Sequence, residues 1–509
     1  MSVTSVIERP TPAPASSPDP RRWAALAIIA VAQLMVVLDA TIVNIALPHA
    51  QAALGISDVN RQWVVTAYTL TFGGLLLLGG RIADYWGRKR TFMVGIVGFA
   101  VASALGGIAQ NGETLFAARA LQGAFGALLA PASLALLTVL FVDAKERAKA
   151  FGIYGAIAGG GAAVGLLLGG VLTEWADWRW CLLVNIPIAL IAAAFAWRKL
   201  GESKANGNTR YDIPGAVLAT AGLAGLVYGF TKAAETGYGW GSPVTLGFIG
   251  GSLLLLVLFV VVELRSSHPL LPLRVVLDRT RGGAYIASAM TGAGLIGSSL
   301  FMTFYFQQVL GYQPIHAGLA SLPMTIGIFL TFPFATQLLP KVGAKVLMAT
   351  GSFVAAGGLL LFTRIGTADQ FWTTTLPAEL VIGAGLGLIF VPMGNVALSG
   401  VNPHDAGAAS AAVSATQQIG GSLGVAILTS VSVSAADEWF STNTPAIDSP
   451  TGPSQAAITA FTNEGLVHSF QLGFAWAAGF MVIAGIAVLA LLRRGKIAAP
   501  SDGTPIHIG

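Results

Sequence analysis

One acidic side chain, Asp39, stands alone in a long apolar stretch of the sequence. Between Trp23 and Ala50 it carries the only formal charge. A helix of this length spans a bilayer, and a carboxylate inside a membrane is costly enough that it usually marks a functional site. Such an acid can carry a proton or hold a cation. The alternative is a buried, hydrogen-bonded structural residue, and the residues alone leave both open.

Two further charged residues, Arg119 and Glu379, lie well inside apolar stretches. Helix rise places Asp39 roughly 13 Å and Arg119 roughly 8 Å from the same membrane face, so the two lie at comparable depth. Arg119 either shares a water-filled site with Asp39 or braces its own helix. Glu379, roughly 10 Å deep, either reaches water near the interface or faces a central cavity.

The composition is that of an integral membrane protein. Of the 509 residues, 54% are hydrophobic and 10% are charged, whereas soluble proteins carry about 25% charged residues. The single cysteine excludes internal disulfides. The six histidines show no metal-ligand spacing, and no phosphate-binding loop occurs. We therefore expect a protein that is not an enzyme, holds no metal, binds no nucleic acid and is not driven directly by ATP.

Apolar runs near 20 residues predict fourteen membrane spans. Of the 28 Lys and Arg residues, 23 lie on one set of alternating loops, four on the opposite set, and Arg119 within a span. The positive-inside rule makes the Lys/Arg-rich side cytoplasmic. Because the number of spans is even, both termini are expected there. An Ala/Gly-rich composition with more Arg than Lys favours a bacterial plasma membrane.

The segments outside the predicted spans are polar. Residues 1–22 are rich in Pro, Ser and Thr and lack the apolar core of a signal peptide, so they predict a disordered cytoplasmic tail. Residues 493–509 predict a second cytoplasmic tail. Residues 435–467 contain acids but no Lys or Arg, and predict a solvated extracytoplasmic loop.

The loop between spans 2 and 3 reads GRIADYWGRKR, residues 80–90. Gly80 and Gly87 permit close backbone approach. Asp84 stands near a helix end, where it can pair with Arg88 or with the N-terminus of a neighbouring helix. The segment resembles the signature loop of the major facilitator superfamily. The resemblance implies that these four residues form a conformational switch.

Four more segments resemble the fourteen-helix drug:proton antiporter branch of that superfamily. They are LDATIVNIALP (38–48), LFAARALQGAFGA (115–127), WRWCLLVNIPIA (178–189) and YFQQVLGYQPIHAGLASLP (305–323). The glycines of the branch's helix 5 motif are also present, at Gly155, Gly159, Gly165 and Gly169. Leu166 stands where the branch has Pro, so the resemblance does not support a Pro-induced kink in this helix.

The resemblance implies an all-α membrane fold. An N-terminal six-helix bundle (residues 23–200) and a C-terminal six-helix bundle (residues 283–492) would face each other across a cavity, with two inserted helices (residues 213–263) between them. It also implies proton-coupled export of hydrophobic or cationic drugs by alternating access, with Asp39 and Arg119 as the proton-coupling residues. Pocket candidates are polar or aromatic residues within spans: Asn44, Tyr68, Gln122, Tyr154, Tyr305, Gln307, Glu379 and Asn395, together with Asn185 and Gln417.

The expected partners are the lipid bilayer and small amphiphilic substrates. Protons would be the coupling ion, with no other cofactor, and the protein is expected to be a monomer. Two alternatives stay open from the sequence. One is an exporter of an endogenous metabolite or lipid that uses the same machinery, and the other is a membrane sensor that transports nothing.

Overall fold

A computed structural model describes residues 22–141, 143–204, 212–235, 237–266, 269, 276–368, 370–398, 401, 406–443 and 454–493. Most of these residues lie in helices. By length and composition, thirteen helices of the described residues can cross a membrane, and a shorter apolar stretch, Gly160–Trp175, belongs to a further long helix. The prediction of an all-α membrane fold is confirmed.

The first half of the chain contains nine helices among its described residues. They are α1 (Arg22–Leu54), α2 (Trp63–Trp86), α3 (Arg88–Gly107), α4 (Gly112–Leu140), α5 (Ala144–Trp175), α6 (Trp180–Leu183), α7 (Asn185–Lys199), α8 (Ile213–Ala234) and α9 (Pro243–Arg265). The short α6 and the longer α7 together form one span, Trp180–Lys199.

The second half begins with α10 (Arg279–Phe304), which continues into a π-helical turn at Tyr305–Val309. The short α11 (Pro314–Ala320) and α12 (Leu322–Val342) together form one span. A second π-helical turn, Phe371–Thr375, leads into the helix that begins at Leu376. The remaining helices are α13 (Ala344–Phe362), α14 (Leu376–Leu398), α15 (Ala406–Asn443) and α16 (Gln455–Leu491).

Side-chain caps fix where several helices begin. The side chains of Asn111, Asp143, Ser242 and Ser454 each accept a backbone N–H from the first turn of the helix that follows. Asp278 accepts two such N–H groups at the start of α10. The first N–H groups of a helix have no partner within it, so these caps stabilise the ends that emerge from the apolar spans.

The helices pack as two groups with a helical pair beside them. In the first half, α4 packs against α2 and α3, and α1 packs against α5. In the second half, α10 packs against α15 and α16, and α14 packs against α12 and α13. The two groups meet where α2 touches α15 and where α5 touches α11. The pair α8–α9 packs together, and α8 lies against α2 and α15.

The helix ends define two opposite faces of the molecule. We call the side where α1 begins and α16 ends the basic face, and the opposite side the far face. At the basic face, Arg22 donates two hydrogen bonds of 2.8 Å to Glu146 and so links α1 to α5. The Arg22 guanidinium holds the pKa of the Glu146 carboxyl below its usual value.

At the far face, the structure of residues 435–467 differs from the predicted loop. Most of this segment is helical, because α15 continues to Asn443 and α16 begins at Gln455. Trp439, Phe440 and Phe461 pack ring against ring, with centroids 5.0–5.5 Å apart. The prediction of a loop was wrong for residues 435–443 and 455–467, which are helical and joined by aromatic packing, whereas residues 441–443 and 455–460 are exposed, as predicted for a solvated segment.

Candidate functional site: the buried Asp39–Arg119 pair

Asp39 lies in the middle of α1 and has no exposed surface. Its Oδ2 accepts a hydrogen bond from Arg119 Nη1 on α4 at 2.6 Å. Its Oδ1 accepts hydrogen bonds from Gln122 Nε2 at 2.9 Å and from Asn185 Nδ2 at 2.7 Å. Both oxygens are therefore bound by donors from other helices, and one of these donors is a charged guanidinium.

Arg119 is equally enclosed, with 1% of its surface exposed. Its Nε donates to the Val64 carbonyl oxygen on α2 at 2.9 Å, and its Nη1 also donates to Gln122 Oε1 at 2.9 Å. The guanidinium carbon lies 4.4 Å from the centroid of the Tyr68 ring. The contacts with Val64 and Tyr68 hold Arg119 without involving Asp39, whereas Gln122 also donates to Asp39.

Two polar residues of this network were not predicted as members of it. Asn185 begins α7, immediately after the short α6, and donates to Asp39. Ser103 on α3 accepts from Gln122 Nε2 at 2.7 Å and from Asn185 Nδ2 at 3.3 Å. Both are fully buried. The available signal was only their polarity within apolar stretches, and many helix–helix contacts share that signal.

The other pocket candidates lie in separate places. Tyr154 donates to Gln33 Oε1 at 2.6 Å, Gln307 donates to the Ile45 carbonyl oxygen at 2.9 Å, and Tyr305 donates to the Gly366 carbonyl oxygen at 3.0 Å. The structure does not bring these side chains together into one cluster.

Three pocket candidates form no hydrogen bond with another candidate among the described residues. Asn44 Oδ1 is buried without a hydrogen-bond partner among the described residues. Asn395 is exposed and donates to the Val391 carbonyl oxygen of its own helix. Glu379 has no exposed surface and lies between α12 and α14. A pocket lined by the whole set stays a prediction.

The loop between α2 and α3 forms an ion pair at the basic face. Arg88 Nη2 lies 3.0 Å from Asp84 Oδ1, one of the two alternatives that the sequence left open. Gly87 joins the helices with φ +131°, a conformation that favours glycine. Glu202, which follows α7, accepts the backbone N–H groups of Lys89 and Arg90 at 3.1 and 3.2 Å. This carboxylate therefore caps the N-terminus of α3.

The close approach of α2 and α4 depends on Gly79 rather than Gly80. A Cβ added to Gly79 would overlap the Ala127 carbonyl oxygen, whereas one on Gly80 would lie 3.6 Å from the nearest heavy atom, Pro131 Cβ. On α5, a Cβ on Gly165 would overlap Thr41 Oγ1, and one on Gly169 would lie 2.9 Å from the Ile42 carbonyl oxygen. The surroundings of Gly155 and Gly159 fall outside the described residues.

Contacts between the two halves close the far face. Glu174 Oε2 accepts the Ile315 N–H at 3.2 Å, and Gln307 reaches the Ile45 carbonyl oxygen. Arg61 lies over the Phe304 ring at 3.8 Å from its centroid. The backbones of α5 and α11 also touch, since a Cβ on Gly170 would lie 2.5 Å from Ile315 Cα.

The described residues thus form two groups of packed, membrane-length helices with a buried ion pair in one of them. Residues 29–425 match the Major Facilitator Superfamily. The chain belongs to this superfamily, and the resemblance seen in the sequence is confirmed at that level. Its relatives are transporters rather than enzymes.

Several relatives are named for antibiotic resistance or export. The chain is 47% identical to the puromycin resistance protein pur8 of Streptomyces alboniger, over 96% of this chain and 94% of the relative. It is 39% identical to the cephamycin export protein CmcT of Amycolatopsis lactamdurans, over 80% and 84%. It is 31% identical to the lincomycin resistance protein of Streptomyces lincolnensis, over 94% of each chain. The protein is thus a multi-pass membrane transporter related to antibiotic exporters.

Solved structures share the fold. The structure is similar to an inward-facing, unoccupied bacterial homologue of the human lysosomal transporter Spinster, with a TM-score of 0.64 and 16% identity, over 94% of this chain and 99% of that one. At this identity the similarity concerns the fold alone.

Proposed function

We propose that the protein is a proton-coupled antiporter that exports hydrophobic or cationic antibiotics by alternating access. The observation that carries the proposal is the ion pair of Asp39 and Arg119, fully buried within a chain that is 47% identical to a puromycin resistance protein. A buried charged pair in a membrane is costly. Its presence in a transporter supports a role in coupling.

The geometry supports a simple proton step at Asp39. A proton that binds Oδ2 removes the negative charge and weakens the contact with Arg119 Nη1. Arg119 stays fixed by Val64 and Gln122, so its positive charge remains without a counter-charge in the site. A cationic substrate would then be repelled from this region. Binding of the proton and release of a cationic substrate are thereby coupled through Arg119.

The basic face is proposed to be cytoplasmic, with both termini on that side, because it carries most of the Lys and Arg residues. The structure would then represent an inward-facing state, since the contacts described above close the far face. We further propose that a monomer is the transporting unit and that protons are the coupling ion, without another cofactor.

The test is transport in proteoliposomes, with puromycin as the probe and an imposed pH gradient. We expect the wild-type protein to move puromycin against its gradient and Asp39→Asn to lose this activity while it still inserts and folds. Asp437→Asn, at an exposed acid beyond the membrane, is the matched control and should behave as wild type. Gradient-driven flux at the wild-type rate in Asp39→Asn would contradict the role of this acid.

Two further results would favour the alternatives. If the wild-type protein fails to move puromycin but moves a metabolite or lipid of its own cell under the same gradient, the first alternative, export of an endogenous compound, is favoured. If the protein does not protect a pump-depleted host against any compound in an antibiotic panel and no flux is measurable, antibiotic export is contradicted and the sensor alternative is favoured.

A further inference from the structure

A second fully buried carboxyl, Glu379, lies in the other half of the molecule and takes no part in the Asp39 network. It stands in the first turn of α14, near the far face. It has no exposed surface. Its Oε2 accepts the Met324 N–H at 3.3 Å, whereas its Oε1 is buried and has no hydrogen-bond partner among the described residues.

Backbone contact between α12 and α14 seals the surroundings of Glu379. A Cβ on Gly327 would lie 2.6 Å from the Leu380 carbonyl oxygen, and one on Gly383 would overlap the Met324 carbonyl oxygen. Thr375, one turn before Glu379, also has a buried hydroxyl without a hydrogen-bond partner among the described residues. The close approach of the two helices and the complete burial of Glu379 separate the carboxyl from bulk water in this conformation.

The described residues supply no cation for this carboxyl. On the helices packed against α14, charged or titratable groups lie toward the basic face or beyond the far end of the spans: Arg279, Arg281, Tyr285, Lys341, Lys345, Asp437 and Glu438, with exposed Arg364 after α13. None forms an ion pair with Glu379. An ionised carboxylate that is buried without a counter-charge is strongly unfavourable, so this arrangement favours the neutral, protonated acid.

The seal over Glu379 is connected to the closed far face. The short α11 makes the backbone contact with α5, where a Cβ on Gly318 would lie 2.6 Å from the Leu166 carbonyl oxygen. Met324, which binds Glu379, follows the end of α11 by only four residues and lies in the first turn of α12. Movement of α11 away from α5 would therefore displace the part of α12 that covers the carboxyl.

We propose that Glu379 is a second proton-binding site, which takes up a proton from far-face water when the far face closes and returns it when the far face opens. Three donors, one of them a guanidinium, bind Asp39, whereas Glu379 is buried without an ion pair among the described residues, so the two acids have opposite surroundings in one conformation. Acidification at the far face would then favour closure. That this water lies outside the cell rests on the proposed function.

The protonation state can be measured without any substrate, by infrared spectroscopy of the purified protein at neutral pH. The difference between wild type and Glu379→Gln should contain the carbonyl band of a protonated carboxylic acid. The matched control, Glu438→Gln at an exposed acid, should remove only carboxylate bands. Glu379→Asp should shift the carbonyl band of the protonated acid. This variant replaces Glu379→Gln in the comparison if the Gln variant does not fold. If the difference between wild type and Glu379→Gln contains only carboxylate bands, residue 379 is ionised and the proposal is overturned.

The coupling to closure can be measured by labelling in whole cells. A cysteine placed at Asn44, next to Ile45 at the closed junction, reports opening to a membrane-impermeant maleimide added outside. Its labelling should rise as external pH rises, by up to tenfold per unit for one proton. The rates are normalised to a cysteine at exposed Ser441.

Glu379→Gln should keep labelling low and independent of pH, whereas Asp39→Asn should leave the pH dependence in place. If Glu379→Gln keeps the wild-type pH dependence, the proposal fails. This result is independent of the transport test, because a protein without flux can still show it.

Discussion

At Asp39, all three hydrogen-bond partners are donors, and one of them is a guanidinium. When one member of a buried ion pair is removed, the other is left as an unpaired charge, which costs about 3–5 kcal/mol of stability. When both are replaced by neutral groups, this penalty disappears. The pair therefore contributes little net stability.

We expect Asp39→Asn and Arg119→Gln each to lower the thermal stability of the detergent-solubilised protein, and the double variant to recover part of the loss. The reason is that each single variant leaves an uncompensated buried charge. A double-mutant cycle of melting temperatures measures the coupling. Strictly additive losses would show that the two residues do not interact.

The sequence predicted the main partners of the site but not its full set. Asp39 and Arg119 were predictable, because a lone charge at a known depth in each of two spans restricts where the pair can meet. Asn185 and Ser103 were not, since depth alone does not specify which way a helix is rotated. For the same reason the burial of Glu379 between two helices could not be separated from a position facing a cavity.

Among the helices, α2 approaches α4 closely at Gly79, the residue immediately before the signature loop. Sequence spacing favoured Gly80 as the close-contact glycine, whereas the structure assigns the contact to Gly79. Both residues are glycines at the same helix end, so only the packing of α4 distinguishes them. Likewise, the polar, Pro-containing composition of residues 435–467 did not reveal that α15 and α16 continue as helices.

We expect Gly79→Ala to lower stability by about 1–3 kcal/mol, since its methyl group would overlap the Ala127 carbonyl oxygen. Gly80→Ala is the matched control and should be neutral or slightly stabilising, because alanine favours a helix over glycine. Melting temperatures of the two purified variants check this. A larger loss for Gly80→Ala would place the contact at the other glycine.

The ion pair of Asp84 and Arg88 belongs to the basic face rather than to the Asp39 network, and Asp84 is partly exposed. We expect Asp84→Asn to slow turnover of every substrate by a similar factor, because a contact at a helix end shifts the balance between conformations by roughly 0.3–1 kcal/mol. Maximal rates for several antibiotics measure it. A changed substrate ranking with unchanged maximal rates would assign the loop to recognition.

For the whole molecule, one of the contacts that join the two halves at the far face is a close backbone approach of α5 and α11. Gly170 is the residue that permits it, because any side chain would meet Ile315. In a two-state transporter, about 1.4 kcal/mol changes the ratio of the two conformations tenfold. A single methyl group at this position is therefore able to alter which side the protein opens to.

We expect Gly170→Val to increase labelling of a cysteine at Asn44 by an externally added impermeant maleimide several-fold. Gly160→Val on the same helix is the control, since the nearest atom to its Cβ, Phe329 Cζ, lies 4.0 Å away. The native Cys181 is buried and should contribute little background. Equal labelling in both variants would show that the Gly170 contact does not hold the far face closed.

The pairing of Asp39 with Arg119 also determines how the transport cycle responds to membrane voltage. The ion pair has no net charge, so a carrier without a bound proton or substrate would reorient without moving charge through the field. After Asp39 binds a proton, the same site carries one positive charge. That step would be driven by about 2.3 kcal/mol for each 100 mV, scaled by the fraction of the field crossed. The resting potential of the cell would therefore accelerate only the proton-loaded half of the cycle.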